Sequence, residues 1–480
     1  MVSLLLTGFY AIWLYTAYLR PDRYGVLALA LTIIGYLPYL DGGFRTVINR
    51  AILAAPDTSK RLELFQFAQK LYSFLALIII ACALLAMVIY GLMPGARAER
   101  LPLSFFIVLG LANSLLVISN VQSAAFVALQ QQSKVFILQT LAAWTSVNAL
   151  AWAFARGWEL WSIPFASIVS VLVTYPLTLR WVHFALPEVK IFSFFTGTDF
   201  WTRFHQMKAD AWFCFRSQLT SLVLYSADIL IIGYFSPKAE VAIYYVIMRL
   251  VGMVRSLLQT GGEVGWPFLA QRGVAQEDAI PWFGLHGWIY GSVAGAFLVV
   301  SIPFCQWYMG PAWTVSPALL TVIVWRFLVV GLGSSATYLL YAAGQFRPIS
   351  KCLEGELFAG LLFGILGGYF YGTIGVATGF LIATAAGTLI PVFIAYSRAG
   401  RVPVGRILGT IWTRALLAYA ASYLTATLLL RVLSNGFYMP LIGSAAVMVS
   451  LLLAIAFAVS RNGFHFNFES RQLRQILRKI

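Results

Sequence analysis

Apolar runs long enough to cross about 30 Å of hydrocarbon recur from one end of this 480-residue chain to the other. That recurrence confines the fold. Inside a bilayer no water satisfies a backbone amide or carbonyl, so a spanning segment must satisfy them itself, as a helix does. The chain is 60% hydrophobic and 10% charged, with a mean hydropathy of +0.83, whereas a soluble domain carries about a quarter charged residues. No stretch is left over for a soluble domain. The first apolar run, SLLLTGFYAIWLYTAYL, passes into RPDRYG without a small-residue cleavage pattern, which predicts a first span and no cleaved leader.

Breaks at proline, glycine and charge clusters predict an all-α, polytopic fold of about fourteen membrane helices. These are expected near 2–19, 24–53, 65–92, 102–129, 135–155, 161–180, 211–235, 242–269, 285–308, 314–342, 352–371, 374–396, 408–431 and 440–460. The expected division is an N-terminal six-helix lobe (1–180), a cytoplasmic interfacial linker (181–210), and a pseudo-symmetric C-terminal six-helix lobe (211–396). An extra helix pair (397–460) and a basic cytoplasmic tail (461–480) follow. The linker contains HFALPEVKIFSFFTG, amphipathic enough to lie along the interface. About 21 of the 33 lysines and arginines fall on the side of the C-terminus and about 7 opposite, so both termini are expected in the cytoplasm. The net charge of +16 mostly expresses this bias and gives no reason to expect nucleic acid as a partner.

Charge inside the spans is the chemical signal. LDGGFRTVINR (40–50) lies within an apolar stretch, although a charged residue at the bilayer centre costs roughly 3 kcal/mol on insertion scales. At about 100° per residue, Asp41, Arg45 and Asn49 share one face, and Asp41 and Arg45 form an i,i+4 pair. Arg50 is deep enough to join them or to snorkel to the inner surface. The eighth span gathers Arg249, Arg255, Ser256, Gln259 and Glu263 on one arc. The seventh aligns Ser217, Gln218, Ser221, Tyr225 and Asp228; the fourth Asn113, Asn120, Ser123 and Gln130; the tenth Arg326, Ser334, Thr337 and Tyr341. The first adds Ser3, Thr7, Tyr10 and Tyr18.

Two readings of these stripes stand at this point. One is a bundle joined by interhelical hydrogen bonds and buried ion pairs. The other is a water-filled cationic cavity, because Arg45, Arg249, Arg255 and Arg326 outnumber Asp41, Asp228 and Glu263. A cavity of that sign suits a phosphate or diphosphate, which arginine binds bidentately. The four cysteines and four histidines are scattered, with no CxxC pair and no two histidines on one face, so no metal site or cofactor is expected. No P-loop, nucleophile elbow or HExxH motif occurs, which points away from an ATP-driven machine and from an enzyme.

RPDRYGVLALALTIIGYLPYLDGGFRTVINRAI resembles the opening of the polysaccharide-transporter family. These are the O-antigen-type flippases of lipid-linked oligosaccharides within the multidrug/oligosaccharidyl-lipid/polysaccharide (MOP) exporter superfamily. The family pattern, roughly LGPxxYG…LDxGxxxxxxR, is met by Pro21, Tyr24, Gly25, Leu40, Asp41, Gly43 and Arg50. SADILIIGYFSPKAEVAIYYVIMRLVGMV with WPFLA, YMGPAWTVSPALL and YGTIGVATGFLIAT are similar to later family segments in the expected order. Arg45 departs from the pattern, standing where the family often has a small residue.

The resemblance implies two six-helix lobes around a cavity that opens alternately to each side of a bacterial cytoplasmic (inner) membrane. A polyprenyl-diphosphate-linked glycan would cross with its tail in lipid. On this implication Arg45, Arg249, Arg255, Arg326 and Arg50 contact the diphosphate. Asp41, Asp228 and Glu263 balance charge or couple an ion, H+ or Na+. Tyr10, Asn49, Asn120, Gln218, Tyr225, Gln259 and Tyr341 line the glycan path. Membrane lipids and a polysaccharide polymerase or glycosyltransferase are the expected partners. Export of two negative charges from a negative interior gains roughly 4–5 kcal/mol per 100 mV, enough to drive flipping without a coupled ion. The rivals are a multidrug exporter, a lipid II exporter, whose usual first-helix charge motif is missing, and a membrane polymerase or ligase. The last would need a large outer loop, which the short connections do not supply.

Overall fold

The computed structural model describes residues 2–34, 44, 47–48, 51–52, 57–92, 102–128, 132–185, 199–272, 276–343, 345–400, 402–432, 442, 445 and 448. Among them there is no strand. The helices are α1 (Val2–Tyr18), α2 (Pro21–Ile34), α3 (Thr58–Leu92), α4 (Leu103–Ala128), α5 (Gln132–Ala155) and α6 (Ser162–Ala185). Then come α7 (Asp199–Phe235), α8 (Lys238–Arg272), α9 (Gln276–Met309), α10 (Pro317–Ala342), α11 (Phe346–Ala383), α12 (Ile390–Gly400) and α13 (Val404–Val432). A 3-10 turn, Glu159–Trp161, joins α5 to α6, and a π-helical segment, Thr384–Leu389, joins α11 to α12.

Eight stretches among the described residues are long and apolar enough to cross a membrane, and the chain is an all-α, multi-pass membrane protein. Thirteen of the expected spans coincide in whole or part with these helices, while the rest of the second span and nearly all of 440–460 lie outside the described residues. The expected 352–371 and 374–396 spans are the two arms of a hairpin in α11 and α12. The chain reverses at Gly372, whose φ of +57° and ψ of −139° no helical residue adopts. Beyond the reversal the arms touch through glycines: a Cβ on Gly367 would lie 2.2 Å from the Gly375 carbonyl oxygen. At the linker the structure differs from expectation. Helix α6 runs on to Ala185 and α7 starts at Asp199, not at 211, so much of 181–210 is helical extension of the neighbouring spans.

Without a hydrophobic drive between helices in lipid, close backbone approach supplies the packing. Helix α9 lies against α13 along Gly287, Gly291 and Gly295, where an added Cβ would stand 2.2–2.6 Å from the carbonyl oxygens of Ile411, Ala415 and Tyr419. Helix α2 crosses to the start of α8 in the same way, because a Cβ on Gly25 would lie 1.9 Å from the Lys238 carbonyl oxygen. Around that crossing Tyr24 is buried, with its ring 5.4 Å from Tyr15, 5.9 Å from Tyr245 and 5.7 Å from Trp313. Four aromatic rings from α1, α2, α8 and the α9–α10 turn thus pack together at this crossing.

Candidate functional site

Helix α8 begins at this aromatic seam. Its one face is buried through Tyr244, Val246, Ile247 and Leu250. The other holds Arg249, Gly252, Ser256 and Gln259 within an arc of about 80° at 100° per residue. Arg249 and Ser256 are exposed, and a Cβ added at Gly252 would meet nothing within 4 Å. Polar residues of a span are expected to face the bundle interior or a cavity rather than lipid, and this face of α8 is the polar one that borders unfilled space at Gly252.

Arg249 is positioned by aromatic rings. Its Nη2 donates to the Tyr245 hydroxyl at 2.6 Å, and its guanidinium carbon stands 4.9 Å from the centre of that ring. The Tyr245 ring in turn meets Tyr24 at 5.9 Å, and Tyr24 meets Tyr15 at 5.4 Å. Stacking of this kind holds the cation by its face and leaves in-plane N–H donors for a planar anion. Arg255 is half-buried on the neighbouring flank. Gln259 accepts a hydrogen bond at its backbone carbonyl from the Tyr338 hydroxyl at 3.1 Å. Tyr10 is half-buried on α1 and stacks 5.9 Å from Trp13.

Arg326 has a different environment. Only 4% of it is exposed, and its Nη1 donates to Asp228 Oδ2 at 2.6 Å and to the Tyr244 hydroxyl at 3.3 Å. Tyr244 itself donates to Asp228 Oδ2 at 2.7 Å, and the guanidinium carbon lies 4.9 Å from the Phe380 ring centre. This network ties α7, α8, α10 and α11 into one unit. The reading of Arg326 as a head-group contact therefore meets a guanidinium already enclosed by a carboxylate, a phenol and a ring, with no open face for a ligand. Asp228 is the group that balances it.

Arg45, Arg50, Asp41 and Asn49 lie outside the described residues. For Asn120, Gln218, Tyr225, Glu263 and Tyr341 the described structure is the helix backbone alone. Sequence reasoning missed Glu356, which is 3% exposed on α11 and accepts hydrogen bonds from Thr384, at 2.6 Å, and from Thr388. Both threonines belong to the π-helical segment, and Gly387 between them approaches the Glu356 Cα so closely that a Cβ would stand at 2.5 Å. A glutamate in the apolar run KCLEGELFAGLL was the available signal. Among the described residues no group of histidine, cysteine or acidic side chains could hold a metal.

These features define a class: a multi-pass α-helical membrane protein that carries charged side chains within its spans. Comparison with solved structures places the fold within that class. The lipid II flippase MurJ in an inward closed conformation superposes with a TM-score of 0.72 at 12% identity, over 95% of this chain and 97% of that one. An inward-facing multidrug resistance MATE family transporter of the MOP superfamily superposes at 0.61 and 14% identity, over 85% of this chain and 96% of that one. No family model and no curated protein matches the chain. The fold is thus the one shared by MurJ and MATE transporters.

Proposed function

We propose that this chain is a flippase, not an enzyme, moving a polyprenyl-diphosphate-linked oligosaccharide from the cytoplasmic to the outer leaflet for surface polysaccharide assembly. Both termini lie in the cytoplasm in this reading, and the membrane is the bacterial inner membrane. The observation that carries it is the open face of α8, with Arg249 held by Tyr245 and opening onto unfilled space at Gly252. An anionic cargo fits that face better than the cationic drugs of a multidrug exporter, by charge alone. Arg249 and Arg255, with Arg45 and Arg50 from the second span, receive the diphosphate; Gln259 and Tyr10 border the glycan path. Asp228 and Arg326 hold the C-terminal lobe in shape, and Asp41 and Glu263 balance the remaining charge. The membrane potential drives the step, with no coupled ion required.

A second reading, lipid II as cargo, is favoured by the whole-chain likeness to the lipid II flippase MurJ. It shares the diphosphate chemistry and differs in the glycan. Depletion of the chain in its own cells distinguishes them. Accumulation of carrier-linked oligosaccharide in the cytoplasmic leaflet with loss of surface polymer is the expected result. Accumulated lipid II with lysis replaces the first reading by the second, and heightened sensitivity to cationic drugs with normal glycans would overturn both.

A further inference from the structure

Two cavities meet at the α5–α6 hairpin, away from α8. The larger, of about 860 Å³, is bordered by Arg23, Phe105, Trp158, Glu159, Trp161 and Phe165. The smaller, of about 530 Å³, is a groove along α5 and α6 past Trp144, Thr145, Asn148, Trp152 and Val169. Phe165 belongs to both, and its ring lies 5.0 Å from that of Trp158 and 5.5 Å from that of Trp152. One aromatic wall therefore runs from the pocket at the turn, which has the Arg23–Glu159 pair on its border, into the groove.

The two ends differ in chemistry. At the hairpin turn, Gly157 at φ +76° lets the chain reverse, and Glu159 is held at φ +45°, the one non-glycine residue with positive φ among those described. A residue kept in so sparsely populated a conformation points to a use for its position, and Glu159 forms an ion pair with Arg23 of α2. Three residues before Glu159 in the chain, the exposed Arg156 has its guanidinium carbon 5.0 Å from the centre of the Trp152 ring, which borders the groove. Among the described residues of these turns, Arg20, Arg23 and Arg156 against Asp22 and Glu159 leave one positive charge in excess. The groove below is apolar, on helices whose Trp144, Trp152 and Leu172 are 38%, 45% and 61% exposed and so face lipid.

A cationic end joined to an apolar groove at the edge of a membrane span is complementary to an amphiphile with an anionic head. We propose that the α5–α6 hairpin is a binding site for an acidic phospholipid. Its phosphate rests on Arg156 and Arg23, and one acyl chain lies in the groove between Trp144 and Val169. Arginine stacked on tryptophan keeps in-plane donors for phosphate oxygens. The tryptophans mark the depth of the headgroup region, where amphipathic rings concentrate. The site does not depend on the flippase reading, because it lies outside the α8 face.

The full-length protein in phosphatidylcholine nanodiscs, doped with photoactivatable phosphatidylglycerol, provides the test, with labelled peptides mapped by mass spectrometry. Label concentrated on residues 132–185 is expected, falling about fivefold in Arg156→Gln, the effect of one basic residue at a lipid surface. Labelling of the exposed α13 face at Leu424 and Leu428 should stay unchanged in the variant, which shows that it remains folded. Photoactivatable phosphatidylcholine labelling the hairpin equally, with no loss in Arg156→Gln, would reduce the site to ordinary surrounding lipid and overturn the proposal. So would displacement of the probe by polyprenyl diphosphate but not by excess phosphatidylglycerol, since the groove would then belong to the carrier.

Discussion

Arg326 and Arg249 both lie in membrane spans, and the protein treats them in opposite ways. Arg326 is sealed at the junction of four helices, with Asp228, Tyr244 and Phe380 occupying its directions of approach. Arg249 rests on the ring and hydroxyl of Tyr245, has no carboxylate partner among the described residues, and stays partly exposed. A buried charge without a partner is costly, so a guanidinium that is fully paired is architecture, and one that is partly paired beside open space is available to a ligand. The intramembrane position of an arginine does not reveal its role; its second neighbour does.

The largest effect should come from breaking the sealed centre. Arg326→Ala leaves the Asp228 carboxylate buried at 0% exposure without its cation, and loss of one partner of a buried pair costs about 3–5 kcal/mol. Detergent-purified variant should melt well below the parent or fail to accumulate. The double variant Asp228→Asn/Arg326→Met should recover most of that loss, because removal of both charges is far milder than removal of one. If the double variant is as unstable as the single one, the pair is not the source of the stability.

The seam comes next. Gly25→Ala forces a methyl group into the Lys238 carbonyl, and overpacking of this kind costs about 1–3 kcal/mol. A melting temperature equal to that of the parent would show that α2 and α8 do not approach so closely in the membrane. For the open centre the expectation reverses. Arg249→Ala should change stability by less than about 1 kcal/mol, the scale of one exposed cation–π contact, yet abolish the outward appearance of carrier-linked glycan. Arg249→Lys keeps the charge without the planar fork and should fall between the two. Normal transport by Arg249→Ala at parental protein level would remove this side chain from the site.

Much of this arrangement was legible in the sequence, for physical reasons. Hydrocarbon thickness dictates span length, so limits such as 135–155 and 314–342 match α5 and α10 closely. The α7 start was misread, because the polar stretch Asp199–Asp210 reads as a connection to a hydropathy argument while its backbone continues the helix. Helical period placed Arg249, Ser256 and Gln259 on one face. What period alone leaves open is which neighbour each face meets. Arg326 and Asp228 are 98 residues apart in sequence, and nothing on either helix marks them as mutual partners. Glu356 was overlooked for the same reason: its hydrogen-bond donors, Thr384 and Thr388, come from the returning arm of a hairpin.

The smallest expected change in stability is also the sharpest probe of the open face. Gly252 has nothing within 4 Å of a built Cβ, whereas glycines at the packed seams meet carbonyl oxygens near 2 Å. Gly252→Ala should therefore be neutral or stabilising by about 0.5–1 kcal/mol, the helix-propensity difference between the two residues. Gly252→Trp carries the logic further. If the space beside Arg249 is a cavity, the indole enters it, the protein folds and melts as the parent does, and transport stops because the cargo's path is filled. If the indole instead lowers the melting temperature as Gly25→Ala does, the space is closed by a neighbour, and Arg249 faces a wall like the one around Arg326. Stability and transport measured on this one variant separate an open centre from a sealed one without touching either charge.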